Sequence, residues 1–279
     1  MLHPASPVRD FDASAPRRRE RAIEDLAGGL ARWRLAWALA RSDIMHRYRG
    51  SVLGPFWLTL STAVMLAALG FLYSRLFRME IATYLPWLSV SLIVWNMINQ
   101  MVTDATVSLT GAQDVVRQMP LPYSVHALRV VFRNAVIAAH NLPLIALVFA
   151  IFGVLPAWTM LLALPGLLLI AIAAFAAAGF LGMICARFRD IPPIVASVMQ
   201  IAFFCSPVLW PPHLLGDWQW VATVNPVYAL METVRAPLVA APTGMLLLHW
   251  LSALVWTGAL AVVAWMFFVR FRGRIAFWV

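Results

Sequence analysis

The sequence predicts an all-α polytopic membrane protein: an N-terminal amphipathic interfacial helix, six transmembrane helices, and re-entrant helices on the outer side between spans five and six. Three observations predict it. Hydrophobic residues make up 62% of the 279 and charged residues only 12%, where a soluble domain holds roughly 45–50% and 25%. Six apolar runs approach or exceed the ~17–25 residues that cross a hydrocarbon core. The basic residues cluster beside these runs, so the net charge of +9 belongs to lipid headgroups and not to nucleic acid.

Residues 1–29 are rich in Pro, Ala, Ser and Arg and contain no apolar h-region, so they read as a mobile cytoplasmic tail and not a signal peptide. Its cluster Arg17-Arg18-Arg19-Glu20-Arg21 reads as a membrane-surface patch. The membrane domain covers 30–279. It opens with an interfacial helix over 30–50, in which Leu30, Trp33, Trp37, Ala40, Ile44 and Tyr48 recur at steps of three or four and share one face. Arg34 and Arg41 lie at the edge of that face and snorkel. Arg41, Arg47 and Arg49 are placed at phosphate headgroups, and the Gly50-xxx-Gly54-Pro55 step leaves room for a sharp turn into the first span.

The spans are drawn at 56–74, 84–102, 135–155, 157–186, 191–210 and 246–269. The fourth is long enough to tilt, Pro165 is a candidate kink, and Ala173, Ala174, Ala176, Ala177, Ala178, Gly179 and Gly182 give it a small-residue surface for close packing. With the N-terminus inside, 18 Arg fall on the cytoplasmic side against 3 outside, Arg75, Arg78 and Arg235, which puts both termini in the cytoplasm. Between spans two and three, Thr110-Gly111-Ala112-Gln113 has the spacing of a capping box and Pro120 closes the short helix that follows, a candidate docking element with Asp114 and Arg117 forming an i,i+3 pair. Between spans four and five lies only the tight basic turn Arg187-Phe188-Arg189-Asp190. The outer connection, 211–245, holds five prolines and apolar segments of half-spanning length, which read as re-entrant.

Several chemistries have no motif. There is no GxxxxGK[ST], HExxH, CxxC or GxSxG, hence no candidate catalytic residue, metal site or nucleotide site. Cys185 and Cys205 read as small core residues. None of the six spans as drawn contains Asp or Glu, unlike most proton- or sodium-coupled carriers. His140 and Asn141 are the main polar pair of span three, able to line a conduit or to bond a neighbouring helix. The energy source must come from elsewhere.

Five motifs stand in order at the expected connections: Arg41-Ser42-Asp43 with Arg47 to Trp57 (RYRGSVLGPFW), Met119-Pro120-Leu121-Pro122, Arg187-Phe188-Arg189-Asp190-Ile191, Ser206-Pro207-Val208, and Asn225-Pro226-Val227-Tyr228. With them the chain resembles, over most of residues 35–279, the membrane subunit of ABC polysaccharide exporters of the O-antigen, capsule and teichoic acid type. The resemblance implies a homodimeric permease of the bacterial inner membrane, paired with two copies of an ABC ATPase that bind ATP and Mg, and moving a lipid-linked glycan. It implies that Gln113, Asp114, Val116 and Arg117 couple to the ATPase. It also implies that Trp57, Tyr73 and Trp95 line a conduit where aromatic faces stack on sugar rings, and that Trp218, Trp220 and Tyr228 belong to an outer gate. The alternative with the same topology is an ABC exporter of a drug or small lipid. A membrane-embedded transferase is a third class, with Asp104, Asp114 and Asp190 too scattered to form its site.

Overall fold

The computed structural model describes residues 17–51, 54, 56–119, 121–239 and 246–279, the side chains of 117 and 118 excepted. The expected tail up to residue 16, Pro55, Pro120 and the Asp114–Arg117 pair therefore lie outside the described residues. Every regular element among those described is helical. In chain order they are α1 Arg18–Ala31, α2 Trp33–Arg47, α3 Phe56–Leu76, α4 Ile81–Thr106, α5 Gln113–Gln118, α6 Ser124–Ala139, α7 Leu142–Ile151, α8 Ala163–Arg187, α9 Ile191–Cys205, α10 Gln219–Val224, α11 Pro226–Leu238, α12 Leu246–Phe271 and α13 Ile275–Trp278. One end of the bundle gathers α1, α2, α5, α13 and the ends of α8 and α12. The opposite end holds α10 and α11.

The expected tail boundary at residue 29 falls inside α1. Ala22, Asp25 and Gly29 are buried, and the lack of a side chain at Gly29 lets the helix lie against Ser124, into which a Cβ would run. The expected stripe of α2 divides, with Ala40 turned into the bundle and the indoles turned out. Ala36 and Ala40, i,i+4 neighbours, are fully buried against α6, whereas Trp33 and Trp37 are 51% and 42% exposed. Small side chains let the two helices approach, and the indoles face outward as they do at membrane interfaces. The turn after α2 is as expected, with φ of 81° at Gly50 and 54° at Gly54, a region open to glycine without strain.

Among the described residues, five helices are long and apolar enough to span a membrane: 56–76, 81–106, 124–151, 158–187 and 246–278. The third begins well before residue 135 because Arg129 and Arg133, expected to mark headgroups, are neutralised by carboxylates and run on inside the helix. It breaks at His140–Asn141, where α6 gives way to α7 and Pro143, lacking an N–H, sits in the first turn. Pro165 likewise sits near the start of α8 and does not kink its middle. Helix α9 has 15 residues, shorter than the run drawn to 210, and ends where Ser206-Pro207 turns extended. The capping box is not formed: Thr110–Ala112 is a 3-10 turn and Ala112 occupies the N-cap of α5, with no side-chain cap.

Helix α4 is the axis of the fold, packed by α3, α6, α8, α9 and α11. Tyr84, Leu88, Val90 and Leu92 are fully buried in its core, and the Tyr84 hydroxyl donates to Leu209 O at 2.5 Å. Apart from Gly179, the small-residue surface of α8 is buried as expected. Its closest approach to another helix's backbone is at Gly166, whose Cβ would sit 2.5 Å from the Thr233 carbonyl oxygen of α11. Gly166→Val is expected to push α11 away and cost about 1–3 kcal/mol, read as a lower melting midpoint in detergent. Gly179→Ala, where a Cβ meets nothing within 4 Å, should leave that midpoint unchanged.

Candidate functional site

At the α1–α2 end, five charged side chains from three helices form one network. Asp43 of α2 accepts from Arg129 Nε at 2.7 Å and from Arg133 Nη1 at 2.8 Å, and a second Arg129 contact makes that pair bidentate. Arg133 also reaches Asp104 of α4, its Nη2 at 2.8 Å from Oδ2. Asp104 further accepts from Asn134 Nδ2 and Gln100 Nε2, both at 2.9 Å, and Arg47 lies 3.9 Å away. Helix α4 as folded thus carries a buried carboxylate, 5% exposed, that the drawn span ending at 102 left out. Burial by itself raises the Asp43 carboxyl, but the hydrogen bonds and charge of Arg129, then of Arg133, outweigh it and hold it below the usual carboxylate range. The sign is that of a depressed carboxylate: its contribution is complete above the ordinary value of 3.8 and is lost as pH falls through the lower folded value. Acidification below 3.8 should therefore free α2 from α6, measurable as a change in Trp37 emission, since Trp37 meets Phe132 edge-on at 5.8 Å.

Directly beside this network a cavity of about 310 Å³ opens between α3, α4 and α6. Asn96, Asn99, Gln100, Asn134 and Asn141 line it together with the hydroxyls of Ser61 and Thr62. Two of the amides are nearly closed off, Asn134 at 2% and Asn141 at 8% exposure. Asn134 spends its Nδ2 on Asp104 and on Val130 O, which fixes its orientation and leaves Oδ1 without a protein donor. Asn141 Oδ1 is in the same position. An uncharged wall of donors and free acceptors suits hydroxyl-bearing ligands.

At the opposite end, α11 carries a buried ion pair. Arg235 is fully buried and Glu232 is 6% exposed. The guanidinium bonds Glu232, donates to Ser91 Oγ and to Pro207 O at 2.7 Å each, and lies 4.4 Å from the centre of the Trp87 ring. Asn225 begins α11 as its N-cap, accepting from Val227 N at 2.9 Å and Tyr228 N at 3.2 Å, while its Nδ2 donates to Ser206 Oγ at 2.9 Å. Two sequence motifs far apart in the chain, Ser-Pro-Val and Asn-Pro-Val-Tyr, are therefore one contact.

A family model for ABC-2 type transporters matches residues 34–239. The chain belongs to that family. Among curated proteins the transporter is similar to the O-antigen export system permease protein RfbA of Klebsiella pneumoniae, 23% identical over 244 residues, 85% of this chain and 92% of the relative. It is also similar to the O-antigen export system permease protein RfbA of Myxococcus xanthus, 26% identical over 203 residues, 71% and 78% of the two. Membership implies an ABC ATPase partner, and the long apolar helices make the transporter a multi-pass membrane protein.

The residues singled out from the transporter's sequence fall in separate places. Arg41 and Arg49 are exposed, and Arg47 reaches the Asp104 network. Trp57 is 56% exposed at the start of α3, Tyr73 pairs with Phe77 near its end, and Trp95 is 4% exposed and packs on Phe203 of α9. None of the three lines the amide cavity. Asp114 is exposed and Gln113 half-buried on α5, whereas Val116 packs onto the apolar cluster of Leu109, Met183 and Ile275. Trp218 and Trp220 stack at 6.2 Å on the outside of α10, while Tyr228 is buried edge-on to His249. Asn141 does line the cavity, and His140 instead bonds Val136 O of its own helix through Nδ1, its carbonyl accepting from Thr59. The amides of α4 were missed. Their signal was present, since 96, 99 and 100 recur at three and four within an otherwise apolar run.

Proposed function

We propose that the chain is the permease subunit of an ABC exporter that carries a lipid-linked polysaccharide of O-antigen type out of the cytoplasm across the inner membrane. The observation that carries this reading is its similarity, over 85% of its length, to a permease named for O-antigen export. In this reading two copies pair with two ATPase subunits, which bind ATP and Mg, both termini face the cytoplasm, and α9 completes a sixth span. The amide cavity supports it: neutral side chains that both donate and accept can exchange partners along a row of sugar hydroxyls, and fixed charges would hold one unit in place. The network beside the cavity supports it too, because Asp43 ties α2 to the helices that line the cavity. A movement imposed on α2 by an ATPase is passed to α4 and α6 through short charge-assisted bonds. Gln113 and Asp114 of α5 offer the ATPase a second contact.

Proteoliposomes holding the permease and its ATPase are the test, with lipid-linked glycan added from the ATPase side. ATP should move the glycan into the lumen, where an added glycosidase cannot cut it. ATP-driven uptake of a cationic dye with no protection of glycan would favour the exporter of drugs or small lipids. Reporters fused after Asp190 and Val279 should read cytoplasm and one at Gly216 the outside, as the Arg asymmetry requires.

A further inference from the structure

We propose that the crevice between the ends of α8 and α12 binds one anionic phospholipid, with its phosphate held by Arg187 and Arg274. The crevice has a volume of about 210 Å³, and Arg187, Arg274, Phe188, Phe267, Phe271 and Trp278 line it. Its walls are a run of aromatic contacts, Phe267 to Phe271 at 5.5 Å and Phe271 to Trp278 at 5.8 Å. What sets the two arginines apart is that they share one aromatic crevice and have no counter-charge there. Arg129, Arg133, Arg235 and Arg272 each have a carboxylate partner. Among the described residues no carboxylate pairs with Arg187 or Arg274, although Arg272, two positions away, is held by Asp25 at 2.8 Å.

Depth decides the kind of anion. Arg187 is the last residue of α8 and Arg274 follows closely on α12, both membrane-spanning helices, so the guanidiniums sit where lipid phosphates lie. Guanidinium forks match phosphate oxygens, and basic clefts between spans are a recurrent site for anionic headgroups. A soluble anion has nothing to place against four aromatic rings. A phospholipid puts its glycerol backbone and first acyl carbons there. The exporter reading is not needed for this site, which depends only on the fold and the membrane.

The full chain in mild detergent, titrated with phosphatidylglycerol or phosphatidylcholine of equal acyl length and followed by native mass spectrometry, provides the test. The wild type should retain one phosphatidylglycerol in preference to phosphatidylcholine. Arg187→Gln with Arg274→Gln should weaken that retention about tenfold or more, while Arg189→Gln, outside the crevice, should behave as wild type. Arg274→Gln alone, on an exposed side chain, should show a partial loss with an unchanged melting midpoint, which separates lost binding from lost folding. Equal retention of the two lipids by the wild type, unaltered phosphatidylglycerol binding in the double variant, or competition by free glycerol phosphate at lipid concentrations would each overturn the proposal.

Discussion

Arg235→Met is expected to destabilise the folded chain by about 3–5 kcal/mol, because it leaves the Glu232 carboxylate buried without its cation. The guanidinium is fully enclosed, and its bonds to Ser91 and Pro207 join α11 to α4 and to the turn after α9. Ser91 lies about 15 Å along α4 from its first residue, at 1.5 Å per residue. Melting in detergent, followed by the fraction remaining monodisperse, measures the effect. Arg235→Met combined with Glu232→Leu should recover most of the loss, since apolar replacement of a whole buried pair is often close to neutral. A single variant as stable as wild type would mean that Glu232 takes up a proton at little cost.

The second large effect is expected at Arg133, which alone bridges Asp43 and Asp104. Arg133→Met leaves Asp104, 5% exposed, with the neutral donors Asn134 and Gln100 and with Arg47, at 3.9 Å, as its remaining cation. A loss of about 3 kcal/mol follows from the uncompensated carboxylate. The loss should be local, loosening α2 from α4 while Arg129 still holds Asp43. Limited proteolysis within 33–47 should therefore accelerate before global melting shifts. Asp104→Asn in the same chain should reverse part of the effect, because the amide removes the stranded charge. Unchanged cleavage of α2 in Arg133→Met would mean that Arg129 alone suffices as the tie.

Much of this fold was legible in the sequence because apolar length is a local property. Helices α3, α4 and α12 lie where the runs were drawn, and Gly50 and Gly54 turn the chain where their spacing said it could turn. The parts that were not legible share one physical cause. The burial of Asp25, Asp104, Glu232 and Arg235 depends on groups that helix packing brings in from far along the chain: Arg272 for Asp25, Arg133 for Asp104, and Ser91 and Pro207 around the Glu232–Arg235 pair. One aromatic residue differs in the opposite sense. Trp95 looked like a surface for sugars and is core, since an indole in a crowded span gains more from burial than from lining a space.

The tie at Asp25 bears on how the protein is made. Its carboxylate accepts from the backbone N–H groups of Tyr123 at 3.2 Å and Ser124 at 3.0 Å, at the entry to α6, and from Arg272 Nε at 2.8 Å. The first two bonds can close as soon as α6 leaves the ribosome. The third waits for residue 272, by which time every long apolar helix but the last has entered the bilayer. Without Arg272 the buried carboxylate would face only neutral donors. Because its partners come from the entry to α6 and from the residue just after α12, Asp25 is satisfied only when the first helix, the middle of the bundle and its last long helix are all in place.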